Sequence, residues 1–299
     1  MTRTGTTTAD LRRALRREVP STVGLLADEH DFTAMRRYRT FAFDDHPTYL
    51  RHVEALLRSL AARGGHTTVT LFDPEEFAAY CAETGLDPDD PTSRSRFTAH
   101  LAATGARVTY TGQPLSTLLP ELVDTAVRQA TWEYATTVLT TAGDCATCGK
   151  DIGRASFERA ARLLARLLEA AGTGTHHLVC SVPAADDRLL AVLHADGGSP
   201  HTDVEDAAAA EFTAVLAAGI VLGAPGGLVL RTSRPGARDR LHGWRLTAGT
   251  LTPLTAAEVF AAYCTDARTG EPLSPEPGVD HLAGFPVTPD PDDDWTTHH

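Results

Sequence analysis

The stretch Thr67-Thr-Val-Thr-Leu-Phe-Asp-Pro-Glu-Glu76 changes its periodicity midway. Thr67 to Phe72 alternates as a strand does. Asp73 then opens a helix as its N-cap, with Pro74 in the first turn and Glu76 at the third helical position. Upstream, Thr22-Val-Gly-Leu-Leu-Ala27 and Tyr38-Arg-Thr-Phe-Ala-Phe43 are apolar runs of strand length, ending in Asp28-Glu29 and Asp44-Asp45. Tyr49, Leu50, Val53, Leu56, Leu57 and Leu60 recur at helical spacing behind Pro47, which predicts a helix over about 46–63, stopped by Gly64-Gly65. Downstream, Ala106-Arg-Val-Thr-Tyr110 reads as a strand, and a long helix is expected from Leu115 to Thr141. Alternating strands and helices predict a parallel sheet covered by helices, a Rossmann-like α/β N-terminal domain.

Beyond residue 143 the pattern changes. An amphipathic helix carries Phe157, Ala160, Leu164, Leu167 and Leu168, and His177-Leu-Val-Cys-Ser-Val182 and Leu189-Leu-Ala-Val-Leu193 form a hairpin-like pair of strands. Thr202-Asp-Val-Glu205 is a capping-box start for an apolar helix through Phe212 to Leu222. Gly226–Thr232 and Gly243–Leu246 are strand candidates, and Thr255-Ala-Ala-Glu258 opens a further helix to Cys264. From Leu273 the chain is expected to be irregular. The expected organisation is a basic arm over 1–20, the Rossmann-like domain over 21–142, a smaller α+β domain over 143–287 with a zinc-knuckle-like turn at the junction, and an acidic tail over 288–299.

Composition sets bounds on function. The formal charge of −12 disfavours nonspecific binding to nucleic acid or to an anionic membrane. The basic stretch Leu11-Arg-Arg-Ala-Leu-Arg-Arg17 reads as a solvated arm, and no apolar stretch reaches the 18 or more residues of a membrane span. The N-terminus lacks an apolar signal region, so the expected location is cytoplasmic. Abundant Ala, Arg, Thr and Gly beside the single Lys150 suggest a high-GC, bacterial genome. Five scattered cysteines are not the framework of a disulfide-stapled secreted domain, leaving reduced thiols or a metal site.

Metal binding is the chemistry that Cys145-Ala-Thr-Cys148-Gly149 suggests. Two thiolates on a tight turn reach one ion while nearby amides offset their charge. The second half is sought in His176, His177 and Cys180. A set of Cys145, Cys148, His177 and Cys180 has knuckle-like spacing, but on a regular strand His176 rather than His177 shares a face with Cys180. The competing reading makes Cys180 a buried core residue and the histidines a strand entry. Four protein ligands would close the zinc site and make it structural. A redox role for Cys145 and Cys148 is disfavoured because a helix, not a strand, precedes the turn and Gly149-Lys-Asp-Ile-Gly153 separates it from the next helical pattern.

Asp28, Asp44, Asp45 and Asp73 follow predicted strands and would gather at the carboxyl edge of a parallel sheet, where ligands bind. Together they would suit Mg²⁺ and phosphate-ester hydrolysis, of nucleotides or nucleic acid. As helix caps they would carry no chemistry. No glycine-rich phosphate loop, Gly-x-Ser-x-Gly elbow or His-Glu-x-x-His helix is present. The expected function is therefore zinc-dependent binding or regulation through protein partners, with Mg²⁺-dependent hydrolysis as the alternative.

Overall fold

The computed structural model describes residues 21–184, 188–197, 203–204, 206–266 and 269–287. The basic arm, the acidic tail, and Thr202 and Glu205 of one expected capping box lie outside the described residues. The chain divides into two compact units, Met1–Gln129 and Ala130–His299.

In the first unit, strands β1 (Ser21–Leu25) and β2 (Thr67–Leu71) pair in parallel, Ser21 beside Thr67 and Leu25 beside Leu71. The crossover carries helices α1 (Glu29–Met35) and α2 (His46–Ala62). Helices α3 (Pro74–Thr84) and α4 (Pro91–Thr104) follow, then strand β3 (Val108–Thr109) and the start of helix α5 (Leu115–Thr141). The helices begin where local chemistry places them. Asp45 accepts the Thr48 N–H, Asp73 those of Glu75 and Glu76, and Asp90 that of Thr92, each ahead of a proline in the first turn. The core holds Leu25, Phe32, Leu57, Val69, Phe77, Phe97, Leu118 and Leu122.

Two expectations are corrected here. The sheet has the order β1-β2-β3, and β3 runs antiparallel to β2, with Val69 beside Val108. The expected parallel, Rossmann-like sheet is thus a mixed one, parallel in the β1–β2 pair alone. Tyr38–Phe43 is not a strand: Tyr38 and Phe41 donate their N–H groups to Met35 and Tyr38 carbonyls in successive turns. Its alternating aromatics instead plug the core from a loop. Tyr38 lies against Phe77 with ring centres 5.5 Å apart, Phe41 against Phe32 at 5.5 Å and Phe43 against Tyr49 at 5.3 Å.

The second unit is an α+β arrangement. Helix α6 (Ile152–Ala171) leads to strands β4 (Thr175–Pro183), β5 (Arg188–Asp196) and β6 (Asp203–Val204). Helix α7 (Asp206–Leu222), strands β7 (Gly226–Ser233), β8 (Asp239–Thr247) and β9 (Thr250–Pro253), helix α8 (Ala256–Tyr263) and strand β10 (Val279–His281) complete it. The sheet order is β10-β8-β7-β4-β5-β6, with β9 also on β8. β4 and β5 form the expected antiparallel pair, Cys180 beside Ala191. One sheet face, with Leu178, Cys180, Leu193, Leu230 and Trp244, is buried with Leu163 and Leu167 of α6 and Phe212 to Ile220 of α7. Gly219 allows this close approach, since a Cβ there would lie 2.7 Å from both Val182 and Leu246 side chains. The capping box at Thr255 and Glu258 forms as expected. The chain after Leu273 is not wholly irregular, because β10 pairs in parallel with β8. Among the described residues no helix is long and apolar enough to cross a membrane.

Candidate metal centre

The cysteine turn is built by the helices on either side of it. After α5 the chain turns at Gly143, whose φ of 71° is left-handed, and the Ile152 N–H donates back to the Gly143 carbonyl at 3.0 Å. Asp144 and Asp151 pair as an antiparallel bridge, and the Cys145 N–H donates to the Lys150 carbonyl at 2.8 Å. The Gly149 N–H then donates to the Cys145 carbonyl at 2.8 Å, with Gly149 at φ 68°, another left-handed residue. Asp151 caps α6 by accepting the Arg154 N–H at 2.7 Å. Between the two glycines the turn projects Cys148 into solvent, while Cys145 stays buried.

The Cys145 sulfur accepts hydrogen bonds from the backbone N–H groups of Cys148 and Thr147, and the Cys148 thiol is a further partner. These donors favour the thiolate and hold the Cys145 thiol below its ordinary range. The turn thus offers two adjacent sulfurs with amide dipoles already aimed at one of them.

The residues expected to complete the site lie elsewhere in their bonding. His176 is fully buried. Its Nε2 contacts the Gly172 carbonyl at 2.9 Å, and because a carbonyl only accepts, Nε2 carries the proton. Nδ1, at 3.0 Å from Thr232 Oγ1, then accepts from that hydroxyl, so neither nitrogen is left for a metal. Cys180 lies in the core between the sheet and its helices, where burial pushes its thiol up to about 12. His177 points to the opposite sheet face, its ring centre 4.4 Å from that of His194. Among the described residues, no third histidine, cysteine or carboxylate makes a group with the cysteine pair whose ligand atoms lie within 4.8 Å of one another. The set of Cys145, Cys148, His177 and Cys180, or its variant with His176, is not brought together.

The group that does meet that test lies at the end of β1. Ligand atoms of Asp28, His30 and Asp31 lie within 4.8 Å of one another. Asp28 is the cap of α1, accepting the Asp31 N–H at 2.9 Å, and His30 Nδ1 is 3.6 Å from Asp31 Oδ1. The Asp31 carboxyl is raised by burial first, then by the charge of Asp28, with a smaller contribution from Asp73. Glu76 is also raised, by desolvation and then by Asp73, with His100 opposing. Of the four expected acids, Asp28 and Asp73 thus share one electrostatic neighbourhood. Asp45 is spent on Thr48 as a cap, and the exposed Asp44 does not join the group. From the sequence, His30 is given no role, Asp31 is not singled out and Glu76 is read only as a helix-opening residue, although the Asp28-Glu-His-Asp31 run directly after a strand carries a signal.

Residues 10–113 are similar to a family described as a domain of unknown function (DUF8829). That stretch includes the β1–β2–β3 unit and the acidic group but not the cysteine turn. No curated protein and no solved structure matches the chain.

Proposed function

We propose that this chain binds zinc at the Cys145–Cys148 turn, that the ion is structural, and that the protein serves a binding or regulatory role through protein partners. The observation that supports this is the paired sulfur geometry: the Cys145 sulfur is solvated by the Cys148 and Thr147 amides and sits beside a second, exposed thiol. Zinc is the ion such a thiolate pair suits, being d¹⁰, redox-inert and content with tetrahedral sulfur ligands. The test is metal analysis of protein purified in reductant without added zinc. Zinc is expected in the wild type and lost in Cys148→Ser. Metal-free wild type whose stability is unchanged by chelators rejects the proposal.

A second reading places a hard divalent cation such as Mg²⁺ at Asp28, His30 and Asp31, for phosphate-ester hydrolysis near the strand ends. It rests on their convergence and on the Asp31 carboxyl, which burial raises first and the repulsion of Asp28 raises further. A cation would relieve that repulsion. Millimolar Mg²⁺ is then expected to raise the melting temperature of the wild type but not of Asp31→Asn, and equal responses from both proteins reject this reading.

A further inference from the structure

The cysteine turn carries an inference that rests on the zinc reading and extends it. Zinc in a structural site takes four ligands, and the turn supplies two. Among the described residues, no third histidine, cysteine or carboxylate groups with the cysteine pair, and His177 lies beside His194 on the sheet face opposite Cys180. His176 is bonded at both ring nitrogens, Cys180 belongs to the core, and Asp151 caps α6. The turn itself has the form of a knob: from Asp144 to Asp151 every residue but Cys145 is exposed. Between the sulfurs stand only Ala146 and Thr147, and Gly149 follows, so no bulky side chain keeps another backbone away. The Gly143–Ile152 and Cys145–Lys150 hydrogen bonds tie the base of the knob together between α5 and α6.

We propose that the Cys145–Cys148 turns of two copies of this chain close on one zinc ion, giving a tetrathiolate site that links the copies through their knobs. Two identical turns supply the four sulfurs. On binding, the thiols release their protons to solvent and Zn²⁺ takes the four thiolates, with no change of oxidation state. The resulting site is anionic, and the Cys148 and Thr147 amides of each copy offset that charge. The chains carry −12 each, so away from the knob they repel, and the link depends on the metal.

The experiment measures zinc content and mass together, on the full chain in a phosphine reductant, by plasma emission and light scattering. The expected result is about half an equivalent of zinc per chain in a particle of twice the chain mass. A zinc chelator is expected to convert it to monomer, and added zinc to restore the dimer. Cys148→Ser is expected to be monomeric and zinc-free, with the melting temperature of the chelated wild type. Cobalt substitution adds a spectroscopic readout, since four thiolates give roughly twice the sulfur-to-metal charge-transfer intensity of two. About one zinc per monomeric chain overturns the inference while leaving zinc binding in place. A dimer that survives chelation and Cys148→Ser also overturns it. Protein without zinc under all conditions removes both this inference and the reading it rests on.

Discussion

Replacing Gly153 with alanine probes how the cysteine turn is held. Gly153 is in the first turn of α6, and a Cβ there would press into the backbone of Leu139 in α5, overlapping its carbonyl oxygen and lying 2.7 Å from the carbonyl carbon and 3.1 Å from Cα. Carbon atoms in contact prefer separations of about 3.5–4.0 Å, so the helices must part by roughly 1 Å. The obstacle is main chain, which cannot rotate away as a side chain would. Overpacking of this kind costs about 1–3 kcal/mol, and a backbone clash belongs at the upper end. Alanine's better helix propensity returns up to about 1 kcal/mol. A net loss of about 2 kcal/mol remains, and for a unit of this size that lowers the melting temperature by about 4–8 °C. The assay is urea unfolding followed by far-ultraviolet circular dichroism, with a thermal melt beside it. Gly149→Ala provides the comparison, because its Cβ meets nothing within 4 Å and it pays only for a left-handed φ of 68°, about 1 kcal/mol. If Gly153→Ala melts within about 1 °C of wild type, α5 and α6 do not meet at their backbones and the account of the turn fails.

Further expectations follow from the same geometry. Cys180→Ser puts a hydroxyl into the core and is expected to cost about 1–3 kcal/mol in urea unfolding while leaving zinc content unchanged; loss of zinc without loss of stability would restore Cys180 as a ligand. His176→Leu removes both ring hydrogen bonds, leaving the Gly172 carbonyl and Thr232 hydroxyl without the ring, and is expected to cost about 2 kcal/mol with zinc retained, read by the same two measurements. His177 is held below its ordinary value by desolvation first, then by His194 and Arg231. The unfolded chain therefore takes up that proton at higher pH than the folded one, and the stability this confers is full above about pH 6.5 and is lost as pH falls through the folded value. Urea titrations from pH 7.5 to 5 should show a shallower decline for His177→Gln than for wild type, and identical slopes refute the assignment. Asp45→Ala is expected to cost about 1 kcal/mol by removing the cap on Thr48, with Asp45→Asn close to wild type; equal losses would show that charge rather than capping matters.

What was legible in the sequence was local. Asp73, Asp45 and the Thr255–Glu258 box each act on amides within three residues, so residue type and spacing sufficed to place the helix starts. The ends of α5 were legible for a related reason: its apolar residues recur at helical spacing between Pro114 and Gly143. The Cys145–Gly149 turn was likewise visible, because its sulfur–amide bonds close within a few residues.

What lay beyond the sequence concerned partners far along the chain. Tyr38–Phe43 alternates as a strand would, yet alternation says only which side chains go inward, not whether a neighbouring strand is free to pair. β3 had strand composition, but its direction is set by where α4 returns the chain beside β2. His176 and Cys180 had ligand chemistry and plausible spacing, and only the packing of β4 between β5 and β7 decided that one would be locked by Gly172 and Thr232 and the other buried under α6 and α7. Asp28, His30 and Asp31 came together because the turn after β1 folds a cap back on itself, with Asp73 arriving from β2 forty residues on to add its charge. Sequence by itself determined the short-range elements and the sulfur pair, since those depend on contacts a few residues long. The tertiary structure alone decided which distant groups meet, because that depends on strand order and helix packing that no single stretch encodes.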